Sequence, residues 1–140
     1  MTKTNTVRVL LVDDHTMFRQ SLRAMLQGYP NLAVVGDVSN GEEALAAIEK
    51  VRPTVIVMDV SMPTMDGVAA TRQIKHRYPH LVVLGLSAHV TGYHRIVMKE
   101  AGATDTFSKD KSVTELYAAI QTAADSASEV EQGRAAAFHG

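Results

Sequence analysis

An α/β fold, a doubly wound five-stranded parallel sheet with helices on both faces, is predicted by three features of the 140-residue sequence. Short apolar, β-branched runs alternate five times with amphipathic stretches. The runs are continuous rather than alternating apolar and polar, as expected of strands buried on both faces of a parallel sheet. They also end in polar residues, most visibly Asp13 and Asp14 after VRVLLV (7–12) and Asp59 at the end of TVIVMD (54–59). Right-handed crossovers bring such strand ends to one rim, where open α/β sheets bind ligands.

Each element carries its own local signal. The first strand spans 7–12, and a helix follows over 15–27, with Phe18, Leu22 and Met25 at helical spacing and Gly28 as the stop. After a strand at 32–36, Asn40 and Glu43 stand at capping-box spacing to open a helix over 40–51. That helix presents Ala44, Leu45, Ile48 and Val51 on one face and ends before Pro53. The third strand is 54–59, and Asp66 caps a helix over 66–78 that buries Ala70 and Ile74 and stops before Pro79. Met62 and Met65, beside Pro63, are expected to pack the intervening loop against that helix.

The fourth strand covers 81–86 and leads to Ser87. The fourth helix, about 91–101, has the thinnest apolar face, with Ile96, Val97 and Ala101 as its core contacts, and a helix so lightly anchored can shift. The fifth strand is 104–108. Ser112 and Glu115 then open a helix with Val113, Leu116, Tyr117, Ile120 and Ala124 at spacings of three and four. Residues 1–6 read as a tail, 7–124 as one domain, and 125–140, where the periodicity fades, as a helix end or linker.

Composition narrows the function. Cysteine is absent, which excludes thiolate metal sites, thiol nucleophiles and disulfides. With 14 basic and 15 acidic residues and no basic run, direct nucleic-acid binding by this segment is not expected; a protein partner is. The absence of an apolar run near the roughly 20 residues of a membrane span, and of a signal-peptide core, gives the expectation of a cytoplasmic protein.

The rim carries the chemistry. Clustered carboxylates at buried strand ends repel one another, and the usual reason to hold them together is a divalent cation, here Mg²⁺. Ser87 and Lys109 join them from the fourth and fifth strands. Two acids, a third acid, a hydroxyl and an amine suit phosphoryl transfer onto a carboxylate, where positioning and cationic clamps do most of the work. Asp59 is the acceptor in this reading. Mg²⁺ on Asp14 and Asp59, Lys109 and the Ser87 hydroxyl stabilise the phosphoryl oxygens, while Asp13 holds a water on the ion. His15, at a helix start, is expected on the surface, and His76, His80, His94 and His139 show no metal spacing.

The segments DDH (13–15), MDVSMPTMDG (58–67), LSA (86–88), AGA (101–103) and KD (109–110) resemble the receiver domain of bacterial two-component response regulators over residues 7 to about 124. DDHTMFR and the Asp after Lys109 are similar to the subfamily with helix-turn-helix DNA-binding outputs. The resemblance implies the flavodoxin-like strand order 2-1-3-4-5, phosphorylation of Asp59 by a sensor histidine kinase, and Mg²⁺ on Asp13, Asp14, Asp59 and the Ser61 backbone carbonyl. It further implies Ser87, Ala88 and Lys109 as phosphoryl-binding residues, and Ser61 and His89 as positions that tune hydrolysis. Signalling would pass from Ser87 to the face of the fourth helix, fifth strand and fifth helix, with a homodimer through that face or through the first and fifth helices. The chain would be a phosphate acceptor and slow autophosphatase, not a turnover enzyme, acting on an output domain for which 125–140 has no room.

One position departs from the family pattern. Where members usually carry Tyr or Phe three residues before the lysine, this chain has Thr106, and Phe107 should point to the opposite sheet face. A Tyr at 106 is therefore expected to strengthen coupling. Two other readings share parts of the pattern. A haloacid-dehalogenase-type phosphatase would place a second acid two residues after the nucleophile, where this chain has Ser61. A degenerate receiver acting only as an interaction module would not need the intact set Asp13, Asp14, Asp59, Ser87 and Lys109.

Overall fold

A computed structural model describes residues 6–62 and 65–139, with side chains to 126. Apart from Thr6, the expected tail at 1–6 lies outside the described residues, as does Pro63. The elements run β1 (Val7–Val12), α1 (Thr16–Gln27), β2 (Leu32–Val38), α2 (Gly41–Val51), β3 (Val55–Asp59), α3 (Gly67–Arg77), β4 (Val82–Ser87), α4 (Gly92–Ala101), β5 (Asp105–Ser108) and α5 (Val113–His139). The five strands form one parallel sheet in the order β2-β1-β3-β4-β5. The segment from 125, expected to be a helix end or linker, continues α5 as helix to His139.

Strand alternation divides the core into two layers. Val9 and Leu11 of β1 face Leu22 and Leu26 of α1 and Leu116 and Ile120 of α5. Leu10 and Val12 face Ala44 and Ile48 of α2, Ala70 and Ile74 of α3, and Met98 of α4. Met62 and Met65 join the second layer, which ties the loop after β3 to the core as expected. The first layer is closed at its edge by Tyr29 stacked on Tyr117, with ring centroids 4.0 Å apart, and the Tyr117 hydroxyl donates to the Pro30 carbonyl.

Two helices bury a residue other than the one their sequence suggests. In α1 the stripe is Phe18, Leu22 and Leu26, an i, i+4, i+8 set; Leu26 is fully buried and Met25 is 49% exposed. In α4 Ile96 is 59% exposed and Met98 has no exposed surface, so the anchor pair is Met98 and Ala101 at i, i+3. Each fully buried large side chain of this kind stabilises the fold by about 1.5–3 kcal/mol.

Caps set the helix starts. Asn40 and Asp66 accept hydrogen bonds from the backbone N–H of Glu43 and Ala69, and Thr91 and Ser112 do the same for His94 and Glu115. The Glu43 carboxylate turns back to the N–H and hydroxyl of Ser39 instead of Asn40. A β-bulge shapes the site indirectly. Val9 pairs with Val34 but Leu10 pairs with Gly36, so Val35 is an extra residue in β2. The strand consequently reaches Val38, two residues beyond the sequence reading, and brings Asp37 within reach of α1.

Candidate functional site

Backbone hydrogen bonds carry the sheet ladder one residue past several strand ends. The N–H of Asp13 donates to the Val38 carbonyl at 3.0 Å, that of Val60 to Leu86 at 2.8 Å, and that of Lys109 to Ser87 at 2.8 Å. The residues that carry the chemistry are thus held on rigid backbone. Gly67 brings α3 against the same region: its N–H donates to the Val60 carbonyl, and a Cβ there would strike the Asp59 carbonyl oxygen and lie 2.8 Å from Val60 Cα.

Asp13, Asp14, His15 and Asp59 each place one potential ligand atom within 4.8 Å of the others. Asp13 and Asp59 are buried and Asp14 is half-buried. Asp59 Oδ1 accepts from the Ser61 N–H at 3.2 Å, while Asp59 Oδ2, Asp13 Oδ2 and Asp14 Oδ1 are buried oxygens without a hydrogen bond. Lys109 Nζ lies 2.9 Å from Asp13 Oδ2 and 3.5 Å from Asp59 Oδ2, close enough for charge pairing though not aligned for hydrogen bonding. The ammonium also sits 4.8 Å above the Phe18 ring, so α1 helps to hold it.

One ammonium does not neutralise three acids. Burial pushes the Asp59 carboxyl up, the Asp13 charge pushes it further, and against the opposing pull of Lys109 it reaches about 7. Buried carboxylate oxygens without hydrogen bonds and a carboxyl that resists ionisation favour a divalent cation, and the carboxylate oxygens of Asp13, Asp14 and Asp59 are a donor set that fits Mg²⁺.

The remaining residues fall around this cluster in different ways. Ser87 is buried at the end of β4, and its hydroxyl donates to the His89 carbonyl at 3.0 Å. Ser61, Ala88 and His89 are exposed beside it. Thr106 is buried, opposite Gly85 in the ladder, and Phe107 packs into the other layer, as alternation requires. The Thr106 side chain and the Met98 methyl both lie over Gly85: a Cβ on Gly85 would be 2.8 Å from Thr106 Oγ1 and 3.0 Å from Met98 Cε.

His15 stands closer to the acids than a surface position at a helix start suggests. Its side chain is 66% exposed, as expected, yet Nδ1 approaches Asp13 Oδ1 at 3.3 Å, Asp14 Oδ1 at 3.4 Å and Lys109 Nζ at 3.3 Å. Arg19, which carries no signal in the sequence, also reaches the site: its Nη1 donates to the Asp13 carbonyl at 2.6 Å. A separate groove lined by Pro79, Leu81, Phe107 and Ala123 contains none of these acids, so chemistry rather than concavity locates the site.

A doubly wound domain whose strand ends converge on an acid pocket with a lysine and a hydroxyl defines a receiver-type α/β protein. The response regulator receiver domain model matches residues 9–121, and the chain belongs to that family. It is 35% identical over 120 residues to the transcriptional regulatory protein DegU of Brevibacillus brevis, covering 86% of this chain and 51% of that protein. It is 40% identical over 104 residues to a protein-glutamate methylesterase/protein-glutamine glutaminase of Alkalilimnicola ehrlichii, covering 74% of this chain and 27% of that protein. A solved two-component response regulator of the LuxR family from Aurantimonas sp. SI85-9A1 superposes with a TM-score of 0.83 at 30% identity, over 87% of each chain. The chain spans about half the length of its DegU relative, and receiver domains of this kind occur in both transcriptional regulators and enzymes. Among the described residues no helix is long and apolar enough to cross a membrane.

Proposed function

We propose that this chain is a Mg²⁺-dependent phosphorylation switch that takes a phosphoryl group from the phosphohistidine of a sensor histidine kinase onto Asp59. The observation that carries the reading is the set of three buried carboxylate oxygens without hydrogen bonds, with Asp59 raised to about 7. Asp14, Asp59 and the Ser61 carbonyl would hold the cation, with Asp13 beside them; when bound, it neutralises charge on the acids and on the phosphoryl oxygens. Asp59 Oδ1 is engaged by the Ser61 N–H, so the free Oδ2 is the attacking oxygen. Its bond to phosphorus forms as the phosphorus–nitrogen bond of the donor breaks, and the departing imidazole takes up a proton.

Lys109, 3.5 Å from that oxygen, pairs with one phosphoryl oxygen, and Ser87 exchanges the His89 carbonyl for another, assisted by the Ala88 N–H. Turning Ser87 releases its hold on the turn that precedes α4, and α4 has only Met98 and Ala101 fully in the core. The α4-β5-α5 face then changes; Arg95 of α4 already pairs with Asp105 of β5 across it at 3.5 Å. Thr106 takes part as the small residue under Met98. Ser61 and His89, beside the acceptor, set how fast water cleaves the acyl phosphate, which makes the domain a slow autophosphatase rather than a turnover enzyme. The domain at 7–124, with 125–140 as its helix end or linker, controls an output in transcription regulation. It works in the cytoplasm as a protein-binding module that does not itself touch nucleic acid, with a homodimer through α4-β5-α5 or through α1 and α5.

Intact-protein mass after treatment with acetyl phosphate tests the reading. One phosphate adduct is expected with Mg²⁺, and none with EDTA or in Asp59→Asn. An adduct of equal yield in Asp59→Asn would overturn the assignment.

A further inference from the structure

Arg19 touches no carboxylate of the acid cluster, yet its guanidinium is committed to the site from behind, through the Asp13 backbone. We infer that Arg19 is a positioning residue for the cation site, acting through the Asp13 peptide, and this rests on the cation reading above.

Arg19 Nη1 donates to the Asp13 carbonyl at 2.6 Å and Nε to Asp37 Oδ1 at 2.9 Å. The two side chains are 11% and 12% exposed, so this is a nearly dry ion pair, not a surface one. Asp37 is held in turn by Arg23 and Gln20. Burial pushes its carboxyl up, but the hydrogen bonds and charges of Arg19 and Arg23 outweigh that and leave it below the usual range, an acid that stays ionised to hold both guanidinium groups.

The consequence falls on Asp13. Its N–H is bonded to the Val38 carbonyl of β2 and its C=O to Arg19 of α1, so both backbone polar groups of this residue are fixed by neighbouring elements. Its side chain starts from a peptide that cannot rotate, with Oδ1 taken by the His15 N–H and Oδ2 left facing Lys109 Nζ. Without Arg19 the carbonyl is free to turn, and the carboxylate moves with it. Arg suits the task because one planar fork reaches carboxylate and carbonyl together, whereas a single ammonium does not.

The test is Mg²⁺ affinity by calorimetry in the full chain, with the carbonyl ¹³C resonance of Asp13 read without metal. Loss of a partner that orients a ligand typically weakens metal binding 10–100-fold. Arg19→Lys and Arg19→Met should each weaken Mg²⁺ binding at least about tenfold and shift the Asp13 resonance. Arg23→Met, which removes an Asp37 contact but none to Asp13, should change affinity less than about threefold, well below that range. Should Arg19→Met fail to fold, Arg19→Lys carries the test. Parent-like affinity in Arg19→Lys overturns the inference, and so does an equal loss in Arg23→Met, which would mean that docking of α1 alone matters. If the parent takes no Mg²⁺, or Asp14→Asn binds it equally well, the cation reading fails and takes the inference with it. The Asp13 resonance then still reports whether Arg19 holds that peptide.

Discussion

Replacing Asp59 with Asn should make the metal-free domain more stable. The Asp59 carboxyl ionises near 3.8 in the unfolded chain and near 7 in the fold, where burial and Asp13 oppose its charge. The folded protein therefore binds this proton more tightly than the unfolded chain, and stability falls as pH rises from about 4 to about 7, then levels. A difference of roughly three pKa units at about 1.4 kcal/mol each amounts to about 4 kcal/mol above pH 7. Near pH 5 the folded carboxyl is still protonated, and the same linkage leaves only about 2 kcal/mol. Asn keeps the shape and can still accept from the Ser61 N–H, so most of the electrostatic gain should survive the substitution. Urea unfolding in EDTA, followed by far-UV circular dichroism at about pH 5 and about pH 8, measures both values. Saturating Mg²⁺ should erase the advantage by binding only the parent. An Asp59→Asn protein no more stable than the parent at about pH 8 in EDTA would refute the argument that unrelieved repulsion defines this site.

The same proton should compete with the cation: calorimetric Mg²⁺ affinity should fall toward tenfold per pH unit below about 7, and equal affinities at about pH 8 and pH 6 would show that Asp59 is not a ligand. Lys109→Ala should still take phosphate from acetyl phosphate but lose the phosphorylation-dependent amide shifts in β5 and α4, because the ammonium is the charge linking Asp59 to the fifth strand; unchanged shifts would remove Lys109 from that role. Thr106→Tyr should destabilise by about 1–3 kcal/mol, since Thr106 is 1% exposed in the core and a ring overfills its place. An unchanged urea midpoint would mean that room for a ring exists.

The strands and the acids were legible because their signals are local. A β-branched run ending in Asp reads the same before and after folding, and strand alternation alone placed Thr106 and Phe107 on opposite faces. Helix faces were less legible where two apolar residues compete for one position. Met25 and Leu26 are neighbours, as are Val97 and Met98, and only packing against the sheet decides which is buried. Arg19 could not be read from sequence. Its acid partner is 18 residues away, reaches it through a bulge in β2, and its other acceptor is a backbone carbonyl that any residue would supply. His15 shows the reverse: the surface position was legible, but not that an exposed ring turns its Nδ1 toward the acids.

Gly67 has a consequence for protein engineering. Any side chain there would drive into the Asp59 carbonyl oxygen, so the backbone of the acceptor and the first turn of α3 occupy space that only hydrogen leaves open. A designer who grafted the loop 59–62 onto another scaffold would transplant the carboxylate without the surface that sets its depth. The smallest portable unit of this site is the strand end together with the start of the following helix, and its least chemical residue is the one that cannot be exchanged.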